Sequence, residues 1–245
     1  IALHGNGSTG RQMERLTSFD AVAAREQFVV VYPDAIDHHW NDGRPEFDTA
    51  IDDISFVASL IDETAREHAI DRSRVYVTGA SNGGMMTYRV GCELADRLAG
   101  IAPVIGNLPA TIRCEPRVPV SVLAINGTDD PLVPYEGGSI AHGHGRGSVL
   151  SATLSTATFA HADGCTGAEA TVDEPDIDTS DGSRTRRTQF ACPAPLAVEL
   201  LTLDGAGHTW PGGPQYLPRA LIGGTSRDFD GAERIWEFFS AHSRS

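Results

Sequence analysis

The sequence predicts an α/β fold in which helices cover both faces of a mostly parallel sheet, and three observations lead to this prediction. Short apolar runs alternate with amphipathic stretches, which is the order expected of strands that alternate with helices. The length of 245 residues suits a single α/β domain, so we predict one domain over 1–245. Hydrophobic residues make up 40% of the chain, which excludes a disordered or fibrous protein.

The elements follow from two kinds of pattern. Continuous apolar runs predict buried strands, and the first of them, FVVVY, ends at Pro33. Apolar residues at helical spacing, such as Ile54, Val57 and Ile61, predict helices. The predicted strands cover 28–32, 74–77, 118–125 and 197–203, and the predicted helices cover 52–68, 83–99, 148–162 and 230–242.

Two segments interrupt this alternation. The first, 137–147, is a loop rich in glycine and histidine; His142 and His144 have no obvious carboxylate partner there, so we predict no metal site. The second, 171–182, is acidic and is predicted to form the tip of a hairpin. It resembles a calcium loop only partly, because its glycine comes one place late and no glutamate closes it.

The charges exclude several classes of function. Nineteen basic residues oppose 33 acidic ones, and a net charge of −14 disfavours binding to nucleic acid. All the basic residues are arginines, which excludes mechanisms that need a lysine amine, such as Schiff-base and P-loop chemistry. No apolar stretch approaches the roughly 20 residues that a membrane-spanning helix needs. We expect no cofactor, and the oligomeric state stays open.

Four cysteines are compatible with two disulfides, for which three connectivities exist. Cys165 and Cys192 flank the acidic loop, where a bond would tie the base of the hairpin. Cys92 and Cys114 are also near each other in the sequence. We therefore predict the pairs 92–114 and 165–192, with four buried thiols in a cytosolic protein as the alternative.

A nucleophile is indicated by Gly79-Ala-Ser81-Asn-Gly83, a G-x-S-x-G pentapeptide. It follows a predicted strand and opens a predicted helix, which is the context of a strained turn that exposes a serine hydroxyl. The alternative is a glycine-rich turn in which the serine caps the helix. We predict that Ser81 is a nucleophile.

A serine nucleophile needs a base and an acid that orients the base, in the chain order serine, acid, histidine. His208 lies in a glycine-rich loop directly after a strand and is predicted to be the base. Asp129 and Asp130 both follow the strand that ends at Ile125, and the spacing favours Asp130 as the acid.

The remaining site predictions concern the oxyanion and the acyl group. We expect the backbone N–H of Asn82 and that of Asn6 to stabilise the oxyanion, with Gly5 as the alternative to Asn6. Trp40 and Trp210 are predicted to form an aromatic wall for the acyl group, unless both are structural packing.

Beyond these single residues, segments spread along the chain resemble one family of secreted α/β-hydrolases. The family contains polyhydroxybutyrate depolymerases and feruloyl esterases and is similar to carbohydrate esterase family 1. Its resemblance implies a triad of Ser81, Asp130 and His208, and it implies export. It also implies strands upstream of Ile1, while Asn126 replaces a histidine that is common in the family. The matching segments are 3–5, 32–34, 40–43, 52–56, 75–85, 127–135, 207–213 and 214–218.

Together these observations predict a serine esterase that hydrolyses small or oligomeric carboxylic esters through an acyl-serine intermediate. We expect feruloyl-type or other short aryl or alkyl esters as substrates. Poly(3-hydroxybutyrate) or its oligomers are the alternative, and a non-catalytic binding protein on an esterase scaffold is a distant one.

Overall fold

A seven-stranded sheet forms the centre of the computed structural model, which describes residues 1–47, 50–140, 147–166 and 170–244. The strands run in the order β1-β2-β3-β4-β9-β8-β7, and the first five of these are parallel. Two further strands, β5 and β6, form a separate antiparallel pair. The strands are β1 (Ala2–Leu3), β2 (Tyr76–Ala80), β3 (Gly100–Val104), β4 (Ser121–Gly127), β5 (Gly138–Ser139), β6 (Ser148–Val149), β7 (Ala170–Asp173), β8 (Arg184–Gln189) and β9 (Val198–Asp204).

Helices lie on both faces of this sheet, as predicted. Successive residues of β4 point to opposite faces, so Val122 packs in one apolar cluster and Leu123 in the other. Helices α3, α4 and α5 contribute to the first cluster, and α1, α2 and α7 contribute to the second. The helices are α1 (Gly10–Thr17), α2 (Phe19–Glu26), α3 (Asp53–Glu67), α4 (Asn82–Glu93), α5 (Ala152–Ala162), α6 (Arg219–Ile222) and α7 (Gly231–Ser240).

Side-chain caps set where several helices begin. The carboxylate of Asp52 accepts from the N–H of Ser55 at the start of α3, and the Ser151 hydroxyl accepts from Leu154 at the start of α5. Asp230 caps α7 in the same way. Each of these three helices therefore begins slightly later than the apolar pattern predicts.

Some predicted elements differ from the structure. Segment 28–32 is not a strand of the sheet; one backbone bond of 2.9 Å links the N–H of Ala2 to the carbonyl of Val31, and Val29 is exposed. The predicted helix 83–99 ends at Glu93 and continues as a short 3-10 turn. Strand β3 was not predicted, because its sequence GIAPV contains a glycine and a proline, which are rare inside strands.

The predicted hairpin and both disulfides are present. Strands β7 and β8 pair antiparallel, and the acidic residues lie at the connection between them. Cys165 is bonded to Cys192 beside this hairpin, and Cys92 on α4 is bonded to Cys114. Within the described ranges, no helix is long and apolar enough to cross a membrane.

Asp163, at the C-terminal end of α5, is a buried carboxylate without a cationic partner among the residues described. One oxygen accepts from the N–H of Val120 at 3.2 Å, and the other has no hydrogen-bond partner among those residues. Burial raises the pKa of Asp163 to about 7. The folded protein therefore holds this proton more tightly than the unfolded chain does, and stability falls as the pH rises from about 4 to about 7.

Changing Asp163 to asparagine is expected to remove this loss. The free energy of unfolding should rise by about 4 kcal/mol at pH 8 and change little at pH 4, because the amide never ionises. Denaturant unfolding at both pH values measures the difference. Asp178→Asn is the control, because hydrogen bonds from Ser180 already lower the pKa of Asp178. An equal rise in the free energy of unfolding at both pH values would show that ionisation of Asp163 does not destabilise the folded protein.

Candidate active site

Ser81 occupies the sharp turn between β2 and α4. Its backbone has φ 58° and ψ −118°, a conformation that is costly for a residue with a side chain. The surrounding sheet and helix hold it there, because its N–H donates to the carbonyl of Val104 at 3.0 Å and its carbonyl accepts from Met85 at 2.9 Å. The side chain lies in a cleft at the N-terminal end of α4.

Glycines on either side of Ser81 allow this turn. A Cβ atom at Gly79 would lie 2.4 Å from the carbonyl oxygen of Gly83, and one at Gly83 would lie 2.2 Å from that of Leu3. Either contact is far shorter than atoms tolerate, so both positions exclude a side chain. The G-x-S-x-G spacing thus reflects the close approach of β1, β2 and α4.

Asp130 and His208 form a buried pair beside this turn. Each follows a parallel strand, β4 for Asp130 and β9 for His208, so both loops lie at the same edge of the sheet. The Nδ1 atom of His208 lies 2.7 Å from Oδ2 of Asp130. The other carboxylate oxygen accepts from the N–H groups of Leu132 and Val133, both at 2.8 Å. These contacts orient the carboxylate toward the imidazole, whereas Asp129 is exposed.

The loop that carries His208 is held by its backbone. The N–H of His208 donates to the carbonyl of Ile222 at 2.5 Å, and its own carbonyl accepts from the Tyr216 hydroxyl at 2.7 Å. Burial, with a contribution from the nearby Asp130 carboxylate, raises the pKa of Tyr216 to about 12. Tyr216 is therefore a neutral donor near pH 7, and its bond helps to hold the backbone of the loop that carries His208.

The predicted oxyanion donors lie along the same cleft. Asn82 is the first residue of α4, where backbone N–H groups lack helical partners. Asn6 and Gly5 also line the cleft, and a Cβ atom at Gly5 would lie 3.5 Å from that of Ser81. His4 orders this segment: one ring nitrogen bonds the carbonyl of Gly5 and the other accepts from the N–H of Ala35.

The cleft has a volume of about 880 Å³ and includes Ser81 and His208 in its lining. Asp130 lies behind the imidazole. Arg15, Arg44 and Glu46 are charged residues at the cleft, and Arg44 is paired with Glu46 at 2.8 Å. Aliphatic side chains form a large part of the wall, among them Met85, Ile105, Leu132, Val133, Ile140, Leu217 and Ile222. These aliphatic residues were not predicted as site residues, because they come from α4, α6 and several loops and share no local pattern.

The prediction of an aromatic wall is wrong. Trp40 and Trp210 are 0% and 1% exposed, and neither lines the cleft. Trp40 packs against the rings of His4 and Phe56, and Trp210 packs edge-on against Phe19 at 6.0 Å. Both are core residues because their rings point away from the cleft into the layers beside it. The aromatic side chains at the cleft are Phe47 and Tyr216.

His142 and His144 lie outside the described residues. Elsewhere in the described chain, no group of three or more histidine, cysteine, aspartate or glutamate side chains is placed to hold a metal ion.

A mostly parallel sheet, a serine on a strained strand-to-helix turn and a buried Asp–His pair at one sheet edge define the class of α/β-hydrolases. The fold is shared with solved structures. The acetyl xylan esterase of Aspergillus awamori superposes with a TM-score of 0.63 over 98% of this chain and 87% of its own, at 14% identity. SOBER1 of Arabidopsis thaliana has the same fold, with a TM-score of 0.54 over 98% of this chain and 95% of its own, at 16% identity.

Sequence comparisons narrow this class. Residues 1–163 match the family Abhydrolase_2, described as phospholipase/carboxylesterase. The chain is 32% identical to "Putative esterase NocK" of Nocardia uniformis subsp. tsuyamanensis, over 97% of this chain and 72% of that protein. It is 32% identical to feruloyl esterase B of Piromyces equi over 65% of this chain, but over only 29% of that longer protein. The chain belongs to the phospholipase/carboxylesterase family of α/β-hydrolases, and it is a carboxylic ester hydrolase.

Proposed function

We propose that this enzyme cleaves esters through a covalent acyl-serine. The Ser81 hydroxyl attacks the ester carbonyl while Nε2 of His208 takes its proton, and the imidazolium then protonates the leaving alcohol. Water, deprotonated by the same imidazole, attacks the acyl-serine and releases the acid. The observation that supports this most strongly is the 2.7 Å Asp130–His208 pair at the cleft that also contains Ser81.

Asp130 keeps the proton of neutral His208 on Nδ1, which leaves Nε2 free to act as a base. The backbone N–H groups of Asn82 and Asn6 stabilise the oxyanion that forms on the carbonyl oxygen. Gly5 is the alternative to Asn6, since both residues line the cleft beside Ser81.

We propose feruloyl-type or other short aryl and alkyl esters as the substrates. Two similar proteins, from Piromyces equi and Aspergillus niger, are named feruloyl esterases. The protein from Aspergillus niger, a probable feruloyl esterase C, is 24% identical over 95% of this chain. The cleft supports the proposal, because about 880 Å³ lies within the usual range for small-molecule sites and its wall is largely apolar. Oligomers of hydroxybutyrate are the competing substrates.

We also propose that the enzyme works in an oxidising compartment outside the cytosol. The two disulfides support this, because such bonds persist in secreted proteins and are rare in the reducing cytosol.

Removing the Ser81 hydroxyl is expected to abolish turnover. The Ser81→Ala variant should lower kcat for p-nitrophenyl acetate by at least about 10⁴-fold, because no other hydroxyl replaces the nucleophile. Ser180→Ala, at the exposed hairpin tip, is the matched control and should turn over normally. Equal rates for Ser81→Ala and the unchanged enzyme would reject the serine mechanism.

The substrate proposal is tested with the unchanged enzyme. We expect a kcat/KM for methyl ferulate that exceeds the value for hydroxybutyrate oligomers by at least tenfold. The reverse order would favour the depolymerase alternative.

A further inference from the structure

One loop contacts both segments that provide the proposed oxyanion donors. Its residue Trp40 makes two backbone bonds with the Asn82 side chain. The Trp40 N–H donates to Oδ1 of Asn82 at 2.8 Å, and Nδ2 of Asn82 donates to the Trp40 carbonyl at 3.0 Å. Both groups are buried, so these bonds fix the first residue of α4 relative to the loop.

The indole of Trp40 reaches the second segment. Its Nε1–H donates to the carbonyl of His4 at 3.0 Å, and the two rings pack with their centroids 5.2 Å apart. His4 directly precedes Gly5 and Asn6. A single residue therefore connects the start of α4 with the loop after β1, although these two segments are far apart in the sequence.

A buried charge pair completes this arrangement. Asp42, 0% exposed, accepts from Nδ2 of Asn82 at 2.7 Å and from Nε and Nη2 of Arg44 at 3.0 and 2.7 Å. The guanidinium neutralises the carboxylate, which would otherwise be costly to bury. Both polar atoms of the Asn82 side chain are thus bound to the Trp40–Asp42 loop, which fixes the position of this first residue of α4 beside the cleft.

We propose that Trp40 is a positioning residue that sets the spacing between the two oxyanion donors. The inference rests on the proposed function, because it concerns how those donors are held. Donors that stabilise an oxyanion must be in place before the charge develops, and a displacement of about 1 Å can cost about 100-fold in rate. Loss of the Trp40 bond therefore affects kcat more than substrate binding.

The test compares two identical substitutions at buried tryptophans. Trp40→Phe removes the bond to His4 and keeps an aromatic ring. Trp210→Phe removes a similar ring volume, but Nε1 of Trp210 has no hydrogen-bond partner among the described residues. We expect Trp40→Phe to lower kcat for p-nitrophenyl acetate at least tenfold with KM within threefold, and Trp210→Phe to stay within twofold of the unchanged enzyme.

A transition-state analogue separates positioning from a general loss of structure. A trifluoromethyl ketone forms a tetrahedral adduct with the serine and places an oxyanion between the donors. Its inhibition constant should rise for Trp40→Phe in proportion to the fall in kcat/KM, while KM stays constant. A second variant, Asn82→Ala, keeps the backbone N–H but loses the bonds to Trp40, and it should behave in the same way.

Two results would overturn the proposal. Equal kcat values for Trp40→Phe and Trp210→Phe, with Asn82→Ala unaffected, would show that the loop is structural only. Lower melting temperatures of Trp40→Phe and Asn82→Ala with unchanged inhibition constants would also show that the loop has only a structural role. Failure of the serine mechanism is distinguishable, because only that failure leaves Ser81→Ala active.

Discussion

Asp130→Asn is expected to lower kcat for a small ester by about 10⁴-fold. The amide oxygen of the new side chain should remain with the N–H groups of Leu132 and Val133, which donate to Oδ1 of the carboxylate. The NH₂ group would then face Nδ1 of His208 in place of Oδ2. The NH₂ group and the Nδ1–H of His208 are both donors and cannot bond each other, so the imidazole proton moves to Nε2. A protonated Nε2 can no longer accept the proton of Ser81.

The neighbouring aspartate provides the control for this variant. Asp129 is exposed and its carboxylate contacts the hydroxyl of Thr128, so Asp129→Asn should keep kcat within about twofold. Steady-state kinetics on p-nitrophenyl acetate compares the two variants. A loss of less than tenfold for Asp130→Asn would contradict the role given to the carboxylate, and a large loss for Asp129→Asn would assign the role to the wrong residue.

Asp42→Ala is expected to cost about 3–5 kcal/mol of the free energy of unfolding, because it leaves the buried Arg44 guanidinium without its closest carboxylate. Arg44 is 5% exposed, and it also forms an ion pair with Glu46. Asn82 loses an acceptor for its buried amide as well. Denaturant unfolding at pH 7 measures the change.

Arg113 and Glu115 form the matched pair for this comparison. They have the same spacing of two residues as Asp42 and Arg44, but their side chains are 85% and 65% exposed. Glu115→Ala should cost at most about 1 kcal/mol, since water solvates the remaining charge. The double change Asp42→Ala with Arg44→Met should be less harmful than Asp42→Ala alone. Similar costs for Asp42→Ala and Glu115→Ala would contradict the account of a buried pair.

The positions of the proposed reacting groups at one edge of the sheet could be predicted from sequence, because each group has a local pattern. Ser81 lies between two glycines, and a side chain at either position would collide with neighbouring backbone. The glycine pattern therefore reflects the geometry directly. Asp130 and His208 follow apolar strands, and parallel strands place such loops at one edge of a sheet. To predict that these two residues pair with each other, only the chain order serine, acid, histidine was needed.

The surroundings of these groups could not be predicted in the same way. Trp210 lies two residues after His208, and Trp40 lies on a loop after an apolar run, but the direction of each ring depends on packing that no local pattern encodes. Segment 28–32 has the composition of a strand, yet strand pairing depends on a partner elsewhere in the chain. The role proposed for Trp40 rests on a bond to His4, 36 residues away, which only the folded structure shows.

In an acyl-serine mechanism, the Ser81 hydroxyl becomes acylated during turnover. Mass spectrometry of the enzyme, quenched in acid during hydrolysis of p-nitrophenyl acetate and digested, tests it directly. We expect a mass increase of one acetyl group on the peptide that contains Ser81, and no increase in the Ser81→Ala variant. Acetylation of another residue, or turnover by Asp130→Asn and Ser81→Ala at the rate of the unchanged enzyme, would exclude Ser81 as the nucleophile.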